Sequence, residues 1–285
     1  MISFDYLASP GQLGNQMFKY AALKGIADAN KQDFLLPPSY LFLNNRTLFK
    51  IARKLKIIDN KSHANHLLFK YFKMHSVKKN NIGFANYKES LNEDGFEFNQ
   101  NFFEIKKNKV DINGYFQSYK YFESIKESVI KDFEFKKLIK IKSTKIKNKF
   151  DNPISIHVRR GDFVTNPNHS ALDLEYYYKC IELFGNNEEY IIFSDDTKWC
   201  KNISLFKKNN FYFASDYTNE SESLDLCLMS MCSRHIIANS TFSWWGAWLS
   251  RSDEVYAPKD WFKNTKYQDY DTKDLYPLNW KRVKN

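Results

Sequence analysis

The sequence predicts an α/β fold built on parallel sheets, and two stretches carry that expectation. After Pro153, strand-length apolar runs alternate with helix-length stretches, and strands joined by helical crossovers run parallel. At the amino terminus, an apolar run (Ile2 to Leu7), a Gly-containing turn and a helical stripe make the opening unit of a Rossmann-like domain. A chain of 285 residues is long enough for two domains, each with its own core.

In the carboxyl-terminal half, Ile154, Ile156 and Val158 alternate with Ser155, His157 and Arg159, the period-two pattern of a strand, and Gly161 breaks it. Helix 174–184, strand 190–194, helix 197–206, strand 211–214, helix 223–232, strand 235–238, helix 242–249 and strand 254–257 follow. Upstream, Leu13, Met17, Phe18, Ala21, Ala22 and Ile26 share one helical face. Further elements are a strand at Phe34–Leu36, a basic helix at 48–58, a strand from Val110 and a helix from Tyr121 to Phe133. The Lys-rich run 136–149 is either an exposed helix or a linker. The domain boundary is placed there, giving domains 1–145 and 146–285.

Forty-three Lys and Arg against 33 Asp and Glu leave a formal charge of +10, which suits anionic small substrates, an anionic membrane surface or nucleic acid. Nucleic acid is set aside, because the α/β pattern contains no recognisable binding module. No stretch approaches the roughly 20 apolar residues of a membrane span, and no basic and apolar leader opens the chain. A cytoplasmic protein is expected, with peripheral contact of its basic surface with the inner membrane. Cys180, Cys200, Cys227 and Cys232 form no C-x-x-C pair and fall on predicted helices, so they read as buried thiols. His63 and His66 have no nearby carboxylate cluster, and no metal is expected.

In a parallel sheet, ligands bind beyond the carboxyl ends of the strands. Arg159, Arg160 and Asp162, then Asp195 and Asp196, then Ser215 and Asp216, then Asn239, Ser240, Thr241, Phe242 and Ser243 follow successive strand ends. Adjacent guanidiniums suit a phosphate, although a solvated surface pair is the alternative. Ser240 and Thr241 begin a helix, either as caps alone or as an anion site. Asp225 either faces a ligand or lies on a solvated helix face. The Trp244, Trp245 and Trp248 rings divide between core and cleft.

Together, His157-Val-Arg-Arg-Gly-Asp162, Gly11-Gln-Leu-Gly-Asn-Gln16, Ser240-Thr-Phe-Ser-Trp-Trp-Gly-Ala-Trp248, Phe193-Ser-Asp-Asp196 and Ala257-Pro-Lys-Asp-Trp261 resemble the bacterial α-1,2-fucosyltransferases of glycosyltransferase family 11. The motifs span almost the whole chain in the family's order, while residues 40–105 match none.

The resemblance implies a GT-B architecture, two Rossmann-like domains facing a central cleft, with an amino-terminal acceptor domain and a carboxyl-terminal GDP-fucose domain. It implies inverting transfer of fucose to a galactose-terminated glycan. In this scheme His157 and Asp225 contact guanine, Arg159 the β-phosphate, and Ser240, Thr241, Phe242 and Ser243 the pyrophosphate. Gly14 and Asn15 approach the pyrophosphate or fucose from the other domain, and Arg160 and Asp162 brace the loop. Arg159, Asp162 and Asn15 are the candidate catalytic residues. The donor is a substrate, and no cofactor is expected. Asp269-Tyr-Asp271, a D-x-D match, follows no apolar strand and is discounted. A non-catalytic nucleotide-sugar or glycan-binding protein and a fucosyltransferase of another linkage are the competing readings.

Overall fold

The computed structural model describes residues 1–8, 12–37, 67–83 and 89–285. The expected helix at 48–58, the His63/His66 pair and Gly11 lie outside the described residues. The chain divides into one unit of Met1–Lys136 with Asp271–Tyr276 and another of Lys137–Tyr270 with Pro277–Asn285. The division falls before the Lys-rich run rather than within it. That run is the helix Lys137–Lys147, whose Ile146 packs with Leu228 and Met229 of the second unit. Each unit is built on a parallel sheet, so the α/β class and the two Rossmann-like halves expected of a GT-B chain are both present.

The first unit's sheet has the order β2-β1-β4-β3, from β1 (Ile2–Ser3), β2 (Phe34–Leu35), β3 (Ser90–Asn92) and β4 (Val110–Asn113). The first strand is shorter than its apolar run, because the Asp5 amide leaves the ladder and donates to the Asp111 carboxylate at 2.9 Å. Helix Leu13–Ala29 buries its predicted stripe and much of its polar face as well. Lys24, on that polar face, therefore needs a partner. Its Nζ lies 2.5 Å from Asp132 Oδ2 and donates to the Ser76 and Ser128 hydroxyls at 2.7 and 2.6 Å. The expected helix from Tyr121 starts only at Lys126, after two 3₁₀ turns.

The second sheet has the order β7-β6-β5-β8-β9-β10, from β5 (Ile154–Val158), β6 (Tyr190–Ser194), β7 (Phe211–Phe213), β8 (Arg234–Ile236), β9 (Glu254–Pro258) and β10 (Lys281–Val283). Relative to β5 as the first strand, this is the 3-2-1-4-5-6 order of doubly wound sheets. Helices Leu174–Phe184 and Thr197–Asn202 place Tyr176, Tyr177, Ile181 and Cys200 against Ile154, Ile156 and Ile192 on one face. On the other face, helix Glu222–Met229 places Leu228 and Met229 against Ile191 and Phe193. The direction in which the chain adds strands therefore reverses between β5 and β8, the point beyond whose carboxyl ends sheets of this order bind ligands.

All four cysteines are buried and free; Cys232 sits just past a helix rather than on one. Trp244, Trp245 and Trp248 are all buried and pack together, with Trp280 against Trp244, so none is left for a cleft. Strands β3 and β10, short and polar, carried no apolar period to reveal them.

Close helix packing gives a test. A Cβ on Gly25 would lie 1.9 Å from the Tyr121 carbonyl oxygen, whereas one on Gly246 would meet the flexible Met229 side chain. Gly25→Ala should cost about 3 kcal/mol or more, since backbone must move, and Gly246→Ala about 1 kcal/mol. Urea unfolding midpoints of the two variants compare them directly.

Candidate functional site

The site grows from the end of β5, where the strand delivers two cations into a turn. Arg159 is 20% exposed at its side chain; its Nη1 lies 2.7 Å from Asp195 Oδ2 and its Nη2 2.5 Å from Asp162 Oδ1. Its guanidinium carbon also sits 5.0 Å from the Phe163 ring centre. Arg160 diverges from it, stacking on Trp199 at 3.7 Å and donating from Nε to Asp196 Oδ2 at 3.3 Å. Asp195 joins the two arginines, because its Oδ1 accepts the Arg160 amide at 2.9 Å. Gly161 is required beside it: a Cβ there would lie 2.3 Å from the Asp195 carboxylate.

The predicted Asp162 contact is thus to Arg159, and 57% exposure leaves that ion pair wet and weak. The Asp195 pair, at 27% exposure on the carboxylate, is better shielded. Sequence reading placed Asp195 at the rim without a role, and Trp199 was not singled out. Their shared signal was position, one strand end in Phe193-Ser-Asp-Asp196 and the helix turn after it.

His157, the last inward polar residue of β5, is buried, and its Nδ1 has no hydrogen-bond partner among the described residues. Burial, with repulsion from Arg159 added, pushes its imidazole down to about 3, so it is neutral at physiological pH. Its ring lies 5.7 Å from that of Phe242. Just past the neighbouring strand β8, Asn239 is buried and donates to the Ser170 and Trp261 carbonyls at 3.0 and 3.1 Å, while its Oδ1 has no partner among the described residues. Unsatisfied buried polar atoms are costly, and two beside one crevice mark a place where a polar ligand is accommodated.

Helix Thr241–Ser250 starts at this point. Ser240 is its N-cap, accepting the Phe242 amide at 3.4 Å, and Ser243 Oγ donates back to the Ser240 and Ala238 carbonyls at 3.2 and 3.4 Å. Ser243 is buried and spent on these bonds; Thr241 is the half-buried hydroxyl of the turn. A guanidinium just past β5 and a helix N-terminus after β8 are both groups that attract anions.

Asp225 lies farther along the rim, in the first turn of Glu222–Met229, and accepts a 2.6 Å hydrogen bond from the Thr218 hydroxyl, beyond β7. Burial raises its carboxyl to about 6. Gly14 and Asn15 belong to the first unit, at the start of Leu13–Ala29, where Gln117 Nε2 donates to Asn15 Oδ1 at 3.0 Å. That unit holds a second polar cluster that the sequence did not reveal. Glu93 Oε2 accepts the Tyr115 and Phe116 amides at 2.9 and 2.7 Å, pinning the loop at Gly114 (φ +158). Burial raises Glu93 to about 7 and lowers Lys19 to about 8. Among the described residues, no group of three or more His, Cys, Asp or Glu is placed to hold a metal ion.

The model of glycosyl transferase family 11 matches residues 5–284. The chain is 30% identical to the O-antigen biosynthesis glycosyltransferase WbnK of Escherichia coli, over 90% of this chain and 94% of that protein. It is 33% identical to an α-1,2-colitosyltransferase of Escherichia coli, over 96% of each. Identity to the galactoside 2-α-L-fucosyltransferase Sec1 of Mus musculus is 24%, over 86% of this chain and 64% of that one. The solved structure of the fucosyltransferase NodZ from Bradyrhizobium aligns with a TM-score of 0.49 at 9% identity, covering 86% of this chain and 92% of that one.

Asp225 supplies a pH test. Its carboxyl rises from 3.8 to about 6 on folding, so the fold prefers the protonated form and loses stability as pH rises through about 6. Asp225→Asn, which keeps an acceptor for Thr218, should stabilise the protein by about 1 to 3 kcal/mol at neutral pH and by almost nothing near pH 4. Thermal melts of both proteins across that range measure the difference.

Proposed function

The chain belongs to glycosyltransferase family 11, and from that premise we propose that it moves L-fucose from GDP-β-L-fucose to the 2-hydroxyl of a terminal galactose on a glycan, with inversion and without a metal. The observation that carries this reading is Arg159, a guanidinium held by two carboxylates at the reversal point of the sheet, beside the start of helix Thr241–Ser250. As the acceptor hydroxyl oxygen bonds to the anomeric carbon and releases its proton to water, the bond from that carbon to the β-phosphate oxygen breaks, and its electron pair stays on GDP. The growing negative charge is stabilised by a cation already in place, more in the transition state than in the ground state.

In this scheme Asp195 keeps Arg159 aimed, and the exposed Asp162 gives up its contact to the incoming phosphate. Neutral His157 offers the guanine an imidazole Nδ1 that no group among the described residues occupies, with Asp225 on the same nucleobase. The hydroxyls of Ser240 and Thr241 and the amides of the first helical turn hold the pyrophosphate, with Ser243 closing that turn from beneath, and Arg160 braces the loop from Trp199. Until the phosphate arrives, Asp162 holds Arg159 in place, which makes it a positioning residue here. A colitosyl donor is the second reading, favoured by the likeness to the α-1,2-colitosyltransferase. Offering GDP-fucose and GDP-colitose separately with a β-galactoside, and assigning the product linkage by NMR, decides between them; formation of neither product would sink both.

Lysine keeps the charge of Arg159 but loses its fork. Arg159→Lys should lower turnover about 100- to 1,000-fold, with a smaller loss of GDP affinity by calorimetry, the pattern of a contact made mainly in the transition state. Turnover should survive EDTA; a loss restored by manganese or magnesium would contradict the assignment of that role to Arg159. Calorimetry should also show GDP bound more tightly than UDP, through the guanine edge.

A further inference from the structure

The helix Lys137–Lys147 carries an unusual outer face. Its inner side is complete: Ser143 is fully buried, with its hydroxyl donating to the Leu224 carbonyl at 3.4 Å, and Ile146 joins Phe150, Leu228 and Met229. On the opposite side Leu138 is 65% exposed and Ile141 53% exposed, one turn apart. Lys142 and Lys145 follow them at four-residue spacing, and Lys137 and Lys140 are exposed as well. No Asp or Glu occurs from Phe135 to Phe150. Among the described residues, Lys137, Lys140, Lys142 and Lys145 have no carboxylate partner.

A merely solvated basic helix would turn its aliphatic residues inward and its lysines outward. Here two aliphatic side chains stand out among the cations, which is the pattern of a helix lying in a lipid interface. We propose that Lys137–Lys147 is a docking surface for an anionic phospholipid bilayer, with Leu138 and Ile141 inserted among acyl chains and Lys137, Lys142 and Lys145 against lipid phosphates. The four-carbon lysine stems let the ammonium groups reach the headgroups while the helix rests deeper. Charge complementarity selects the occupant. A second copy would oppose lysines to lysines, and the face offers no ring for stacking on nucleic acid bases and no arginine fork for phosphates. Two inserted aliphatics make the attachment peripheral and reversible. It does not depend on which sugar the enzyme transfers.

The test is flotation of the whole protein with vesicles of phosphatidylcholine, alone or mixed with phosphatidylglycerol. Binding should require phosphatidylglycerol and fall steeply with added salt. Lys142→Gln with Lys145→Gln should weaken it at least about tenfold, each lysine near an anionic surface contributing roughly a factor of five. Leu138→Ser with Ile141→Ser should weaken it severalfold without changing the salt dependence, circular dichroism confirming that both double variants are folded. The wild-type arms alone are decisive: no binding to either vesicle at low salt, or equal binding to both, overturns the proposal. So does an unchanged affinity in the lysine variant, or displacement of the vesicles by single-stranded RNA at equal lipid and nucleotide phosphate. An unaffected aliphatic variant overturns the insertion.

Discussion

A guanidinium has no accessible neutral form, so burying four-fifths of Arg159 obliges the protein to supply countercharge at a fixed place. Asp195 meets that need, and its other oxygen takes the Arg160 amide, so one carboxylate ties the end of β6 to the turn after β5. The turn then has room only for glycine at 161. Arg160, sent the other way, lies on Trp199, whose own amide is capped by Asp196 at 3.1 Å. The chain of contacts runs from strand end to helix start without a gap. It makes the cation rigid before any ligand arrives, which is the condition for electrostatic stabilisation without reorganisation.

The same cation shapes its neighbours. Burial and the repulsion of Arg159 keep His157 neutral at physiological pH, and a neutral ring whose Nδ1 has no partner among the described residues suits an uncharged hydrogen-bonding edge better than a phosphate. The groups that attract anions are Arg159 and the start of the helix at Thr241, so positive and neutral elements stand apart on one rim of the sheet.

Buried and exposed cations are treated differently along the chain. Lys24, inside the first unit, is matched by Asp132 and two hydroxyls, and Tyr20 donates to the same carboxylate at 2.7 Å. Among the described residues Lys137, Lys140, Lys142 and Lys145 have no carboxylate partner, though carboxylates elsewhere on the surface pair, as Asp216 does with Lys201. Among the described residues no helix is long and apolar enough to cross a membrane.

The sequence by itself determined the local pieces: the alternation in Ile154–Val158, the stripe of Leu13–Ala29, the cap at Ser240 and the helix–strand series after Pro153. These depend on periods and caps within a few residues, which a linear reading can see. It also placed the charged and hydroxyl residues at strand ends, since each follows a strand directly in the chain. What only the tertiary structure decided was which strand ends are neighbours. Strand order brings β8 beside β5 although β6 and β7 intervene in sequence, and this puts Asn239 and Ser240, just past β8, on the same rim as Arg159, just past β5. The partner of Arg159 on β6, the burial of every tryptophan in Trp244–Trp248, the raised carboxyl of Glu93 and the outward aliphatics of 137–147 were likewise invisible. Each is set by packing between residues distant in the chain, and local pattern holds no record of that distance.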